Sequence, residues 1–296
     1  MRYLVQEGES NMQPAVLGTR AIRAGGVDWP AHWQKTVEAR DATRAATLPP
    51  GGDRWEARAE RFAFLTRSLD AAGDPFVTAL KSALRAEDAV LDVGAGAGRY
   101  SLAIAGSVRR VTAVEPSAGM RAQLARAAAE RGIGNVSIVP SGWESADVDL
   151  HDVAFVANVL YFVPDAVRFI EKLDRSSRRA CFILHRVEER AKPLLPLWET
   201  IWGRPRPPEP GALDLLNLLY SVGIRADFRL APLPAPALYA SLDEALAEAR
   251  RSLELLPGDH THDAAIRAFL PGVLVKRDGV LEYPAPRMAV LSWEKG

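Results

Sequence analysis

The chain has 296 residues, with 37 Lys and Arg against 37 Asp and Glu, and 48% hydrophobic residues. Zero formal net charge argues against a protein held to nucleic acid by bulk positive charge, and a lone cysteine, Cys181, excludes an internal disulfide. The first residues carry acid where a secretion leader would be basic and then apolar. The longest apolar run, Val153 to Val163, is broken by Asn158 and closed by Pro164, so a cytoplasmic protein without membrane contact is expected.

Residues 1–28 show no clear period and read as a loose arm. Residues 29–47 read as a helix, with Trp29, Trp33 and Val37 about one turn apart. Leu48-Pro-Pro-Gly-Gly-Asp53 is a break of turn residues. A second helix, with Trp55, Ala59, Phe62 and Leu65 along one side, and a third from Asp74 or Pro75 to Leu84 are expected next. The texture then changes. Short apolar runs at 89–93, 108–114, 136–140, 153–157 and 180–184 alternate with helical stretches at 99–105, 118–131 and 164–173. Such alternation is the pattern of a doubly wound, mostly parallel sheet covered by helices on both faces. Its strands are continuous apolar runs because neither face meets water.

In the last third, helices are expected at 194–202 and 213–220, with a loop at 204–211 and a sixth strand at 225–230. Two helical segments, 241–256 and 264–270, read as an insertion before a final pair of strands, 273–282 and 287–293, turning at Asp278-Gly279. The expected organisation is an arm and helical cap over 1–75, a Rossmann-like core over 76–232, a helical insertion over 233–272, and a hairpin over 273–296 completing a seven-stranded sheet.

The chemistry centres on Val90-Leu-Asp-Val-Gly-Ala-Gly-Ala-Gly-Arg-Tyr100. A strand runs into a Gly-x-Gly-x-Gly turn that opens a helix. Glycines there permit positive φ and close approach of a ligand to the backbone, and the helix start offers free N–H groups. Glu115 ends the second strand 17 residues beyond Gly98, in the range for a carboxylate that binds ribose hydroxyls. A phosphate-binding P-loop needs Gly-Lys-Ser/Thr, but Gly98 is followed by Arg99-Tyr100. A dinucleotide fingerprint needs a third glycine, and neither possible frame supplies it. Asp92, two residues before Gly94, would repel a pyrophosphate and attract a cation.

The segment Asp-Val-Gly-Ala-Gly-Ala-Gly, with Glu115-Pro-Ser after the second strand, resembles the class I S-adenosylmethionine-dependent methyltransferases. The resemblance covers roughly residues 85–185, and the final strands more loosely. It implies S-adenosylmethionine as cofactor and S-adenosylhomocysteine as product. Gly94, Ala95 and Gly96 would pass beneath the methionine part, with Gly98 in the same turn and Asp92 near the amino group. Glu115 would hold the ribose, and Pro116 and Met120 would flank the adenine. The adenine amino contact stays open among Gly142, Trp143 and Glu144. Asn158 and Val159, with Tyr161 beyond them, would face the cofactor and the incoming acceptor. Asn158-Val-Leu-Tyr161 also resembles the Asn-Pro-Pro-Tyr signature of amino-group methyltransferases, but both prolines are missing.

The expected reaction is in-line methyl transfer to a small-molecule acceptor. His185, at the end of the fifth strand, is either a general base or a rim histidine bonded to backbone, and Tyr161 would orient the acceptor. Methyl transfer to RNA or protein is the runner-up. A nicotinamide-dependent oxidoreductase and a non-catalytic cofactor-binding module stand further off. His151, at the opposite end of the sheet, reads as structural, and Asp165 as a helix cap. Asp259-His-Thr-His-Asp263 has ligand-type residues but no third site nearby, so Thr261 or Asp263 reads as a helix cap rather than a metal ligand. The aromatic residues of the first helices, with Trp198 and Trp202, read mainly as packing, one or two of them reaching the pocket.

Overall fold

Burial on both faces explains the central strands. In β1 (Ala89–Val93) every residue is buried, and its neighbours β2 (Arg110–Val114) and β4 (His151–Ala157) are nearly so. The computed structural model describes residues 26–45, 55, 59, 73–189, 191–231, 237–256, 258–277 and 279–295. With β3 (Val136–Val139), β5 (Ser177–Arg186), β6 (Asp227–Leu230) and a late strand β10 (Met288–Glu294), these make a seven-stranded sheet in the order β3-β2-β1-β4-β5-β10-β6. β1 to β5 pair in parallel, with Val90 beside both Val111 and Val153. β10 runs antiparallel to both β5 and β6, with Val290 between Leu184 and Arg229.

Alternate side chains of β1 enter different cores. Leu91 and Val93 pack with Trp33, Val156, Ile170 and Leu219, while Val90 packs with Phe76, Ile104 and Phe155. The covering helices follow from their periodicity. α1 (Trp29–Ala45) brings Trp33 and Val37 to the first core, and α2 (Pro75–Ala83) brings Phe76 and Leu80 to the second. Asp74 starts α2 by accepting from the Phe76 and Val77 N–H groups. α3 (Arg99–Ile104) and α4 (Ala118–Glu130) follow β1 and β2. α5 (Ala166–Arg175) buries Ala166, Phe169, Ile170 and Leu173, and Asp165 caps it by accepting from the Arg168 N–H. α6 (Leu195–Trp202) and α7 (Ala212–Ser221) come after β5. β2 and β3 lie to one side of β1, and β4 and β5 to the other. The crevice at the carboxyl ends of β1 and β4 is therefore the switch point where such sheets bind ligands.

The last third departs from expectation. β7 (Ala237–Tyr239), β8 (Val275–Arg277) and β9 (Val280–Tyr283) form a separate sheet in the order β7-β9-β8. It packs with α6, α8 (Leu242–Ser252) and α9 (Asp263–Phe269) around Trp198, Leu246 and Ile266. Of the strands after β6, only β10 joins the main sheet. β5 and β6 already occupy its two edges, so β9 has no place beside it. The turn at Gly279 links β8 to β9, while Asp278 lies outside the described residues. The expected helix carrying Phe62, Phe64 and Leu65 also lies outside them, apart from Trp55 and Ala59. Asp263 is the first residue of α9, with His262 rather than Thr261 or Asp263 at the cap position; its carboxylate meets Arg250 and His260. No described helix is long and apolar enough to cross a membrane.

Candidate active site

The glycine turn is fastened to the end of β2. The Gly94 and Ala95 N–H groups both donate to the Val114 carbonyl, at 2.8 and 3.2 Å. Gly94, Gly96 and Gly98 all have positive φ. Two of them also sit against side chains. A Cβ on Gly94 would lie 2.5 Å from Val159 Cγ2, and one on Gly98 would lie 2.2 Å from Leu124 Cδ1. No described residue lies within 4 Å of where a Gly96 side chain would begin. Arg99 pairs with Asp74, which turns the turn's cation away from any phosphate role.

Two carboxylates flank this turn. Asp92 is buried and accepts a 2.5 Å hydrogen bond from Ser101 Oγ. Burial pushes its carboxyl up to about 7, the Ser101 hydrogen bond opposing and the Glu115 charge adding to the rise. Glu115 is also buried; its two oxygens accept from the Gly96 and Ser117 N–H groups, both at 2.8 Å. The Glu115 carboxylate therefore connects the glycine turn to the start of α4. Beyond it, Pro116 is exposed, and Met120 packs with Ala97, Ala59 and Trp55. The side chain of Trp143 goes elsewhere: its indole N–H donates to the Phe169 carbonyl in the first core. Gly142 and the exposed Glu144 stay on the loop after β3.

Asn158 and Val159 follow β4. Asn158 has φ 60°, and its N–H donates to the Leu184 carbonyl at 3.1 Å. Tyr161 is buried, with its hydroxyl donating to Asn158 Oδ1 and accepting from the Arg186 N–H. His185 is fully buried; its ring stacks on Tyr161 at 4.1 Å and lies 5.7 Å from that of Trp33. Its Nε2 donates to the Pro210 carbonyl at 3.0 Å, and Nδ1 has no hydrogen-bond partner among the described residues. Burial pushes its pKa down to about 3, the Pro210 bond opposing. The Nε2 bond to Pro210 is the contact expected of a backbone-bonded histidine, and burial disfavours the protonated ring. His151 is held between the Asp149 carbonyl and Thr112 Oγ1, away from these groups.

Residues 90–179 match the family model described as a methyltransferase domain, a stretch that includes Asp92, the glycine turn, Glu115 and the Asn158–Tyr161 turn. The chain thus carries a methyltransferase domain. That domain makes it an enzyme of methyl transfer. No curated protein matches the chain. Among solved structures it is similar to the YcgJ protein from Bacillus subtilis, at 18% identity and a TM-score of 0.51, covering 74% of this chain and 97% of that one. It is similar to a protein from Bacillus halodurans, at 14% identity and a TM-score of 0.51, covering 76% and 98%. Those two likenesses concern the fold.

Sequence reading missed an ionic network beside this methyltransferase's cap. Glu209, in the loop before α7, meets four guanidinium groups: Arg44 at 3.0 Å, Arg186 at 3.1 Å, Arg40 at 3.5 Å and Arg206 at 3.6 Å. Burial alone would raise its pKa. The Arg186 charge, then those of Arg206, Arg44 and Arg40, overcome that and hold it near 2. Glu254 just after α8 also pairs with Arg40. The partners are scattered over more than 200 positions, so no local pattern signals them. The guanidinium of Arg44 lies 4.7 Å from the Phe162 ring and that of Arg186 lies 3.9 Å from the Tyr161 ring, which joins the network to the Asn158 turn.

Proposed function

We propose that this methyltransferase transfers a methyl group to a compact small-molecule acceptor held between the Asn158–Phe162 turn and the helical cap. The carrying observation is how the cap sits on that turn. The Trp33 indole N–H donates to the Val163 carbonyl, and Trp55 meets the Phe162 ring edge-on at 5.4 Å. Aromatic groups packed this closely favour a small acceptor over a threaded chain, and the zero net charge disfavours a polynucleotide.

The residues present fit the cofactor. Gly96, with no described residue within 4 Å of where its side chain would begin, permits close approach of a ligand to the backbone. Asp92 would meet the ammonium group, Glu115 the ribose hydroxyls, and Met120 with Pro116 the adenine. Glu115 accepts from two backbone N–H groups, and a carboxylate oxygen can accept more than one hydrogen bond. When bound, the cofactor supplies a methyl group already activated by its sulfonium. The chain's own part is orientation and exclusion of water, and orientation alone can contribute about 7–11 kcal/mol. No base is assigned to His185. The acceptor atom offers a lone pair already free, or gives up its proton to solvent before it is enclosed.

The test has two arms. Saturating S-adenosylhomocysteine should raise the melting temperature by about 5 °C or more. Glu115→Ala should lose most of that rise, and NADH should give none. In the second arm, a small-metabolite fraction of a cell extract should support release of S-adenosylhomocysteine. Turnover with only the protein or RNA fraction would overturn the small-molecule reading.

A further inference from the structure

The turn after β4 contains an arrangement that the methyl-transfer chemistry does not itself require. Asn158 is exposed and adopts a left-handed conformation that non-glycine residues rarely take. Its N–H is anchored on the Leu184 carbonyl, and the next residue puts Val159 Cγ2 where a Gly94 side chain would begin. The glycine turn and the Asn158 turn therefore lean on each other across the mouth of the site.

Tyr161 reaches back to hold this turn. The Arg186 backbone N–H, which can only donate, gives its hydrogen to the Tyr161 hydroxyl at 2.6 Å. The phenol's own proton goes to Asn158 Oδ1 at 3.2 Å. One buried hydroxyl thus joins the end of β5 to the side chain of the left-handed residue. The ring behind it has little freedom, being stacked on His185 with the Arg186 guanidinium close by. With Oδ1 occupied, the Asn158 amide presents its NH₂ group as the available donor.

We propose that Tyr161 is a positioning residue, not a catalytic one: it holds Asn158 in its left-handed turn and so keeps Val159 against the glycine turn that cradles the cofactor. This rests on the reading that the Asn158–Val159 turn borders the cofactor site. The consequence is that Tyr161 controls cofactor affinity through Asn158.

A double-mutant cycle on the full chain tests it, with S-adenosylhomocysteine as the probe, calorimetry as the readout and thermal stability followed alongside. Tyr161→Phe should weaken binding roughly three- to tenfold, the range of one lost hydrogen bond. Asn158→Ala, a change at an exposed position, should weaken it similarly without touching the buried ring. Asn158→Gly keeps the left-handed backbone without needing a side-chain tether. Tyr161→Phe in that background should therefore cost less than about twofold. Equal costs in the two backgrounds, or unchanged affinity in Asn158→Ala, would overturn the proposal. So would a loss of stability in Tyr161→Phe with unchanged affinity, since that is what a packing role alone would give. A wild-type protein that bound no S-adenosylhomocysteine would remove the cofactor reading and this proposal with it. Wild-type binding with flat variants would remove only the role of Tyr161.

Discussion

Asp92 is buried beside the glycine turn, and its raised pKa predicts that binding of the proposed cofactor's ammonium group there is proton-linked. Near neutrality the free protein holds part of a proton there. An ammonium group brought close favours the carboxylate, so binding should expel that proton. Affinity for S-adenosylhomocysteine should then fall about tenfold per pH unit below about 7 and level off above it. Calorimetry at pH 7 in buffers of different ionisation enthalpy should show about half a proton released. Asp92→Asn should bind more weakly and without that dependence. Single residues differ in how far sequence exposes them. Asp92, the glycines and Glu115 stand in one short stretch, and their order points to their chemistry. For His185, its place at a strand end was readable. That Trp33 and the Pro210 carbonyl would enclose it was not, because both come from distant parts of the chain.

Among the elements, the cap and the end of α8 are joined by charge. Glu254 has φ 59° where a glycine would ordinarily end the helix, and the Leu255 N–H donates back to the Arg250 carbonyl. The bond to Arg40 gives a reason for a side chain at that strained position. Arg40 is fully buried, so its charge depends on Glu254 and Glu209. Removing one partner of such a group typically costs about 3–5 kcal/mol. Arg40→Met should therefore lower the melting temperature by roughly 6–20 °C, at 2–4 °C per kcal/mol. Glu254→Gly should also destabilise, despite relieving the backbone, because it strips a counter-charge from Arg40. Added salt should restore neither. Helices such as α5 and α7 were readable from their apolar spacing. The placement of the last strands was not, because it depends on β10 having neighbours on both sides.

For the molecule as a whole, two kinds of buried group oppose each other in the response to acid. His185, with folded pKa about 3 against 6.5 ordinarily, stays neutral while the unfolded chain protonates, so stability falls as pH drops below 6.5. His151, lowered by burial, acts in the same direction. Asp92 has its folded pKa raised from 3.8 to about 7, so its contribution is full below 3.8 and is lost as pH rises towards 7. Between pH 6.5 and 4.5 these slopes have opposite sign. Urea midpoints of Asp92→Asn should therefore fall more steeply across that window than those of the wild type. An equal slope in the two proteins would mean that Asp92 does not hold its proton in the folded state.

The sequence by itself determined the alternation of strand and helix, the glycine turn and its two carboxylates, because these are local patterns written in consecutive residues. Through the family resemblance that these residues carry, it pointed to the cofactor class. Tertiary structure alone decided which groups are buried together: the enclosure of His185, the bridge from Tyr161 to Asn158, the arginine network, and the separate β7-β9-β8 sheet. Each depends on contacts between residues far apart in the chain. Burial then sets what those residues can do, since removal from water determines their protonation and their need for partners.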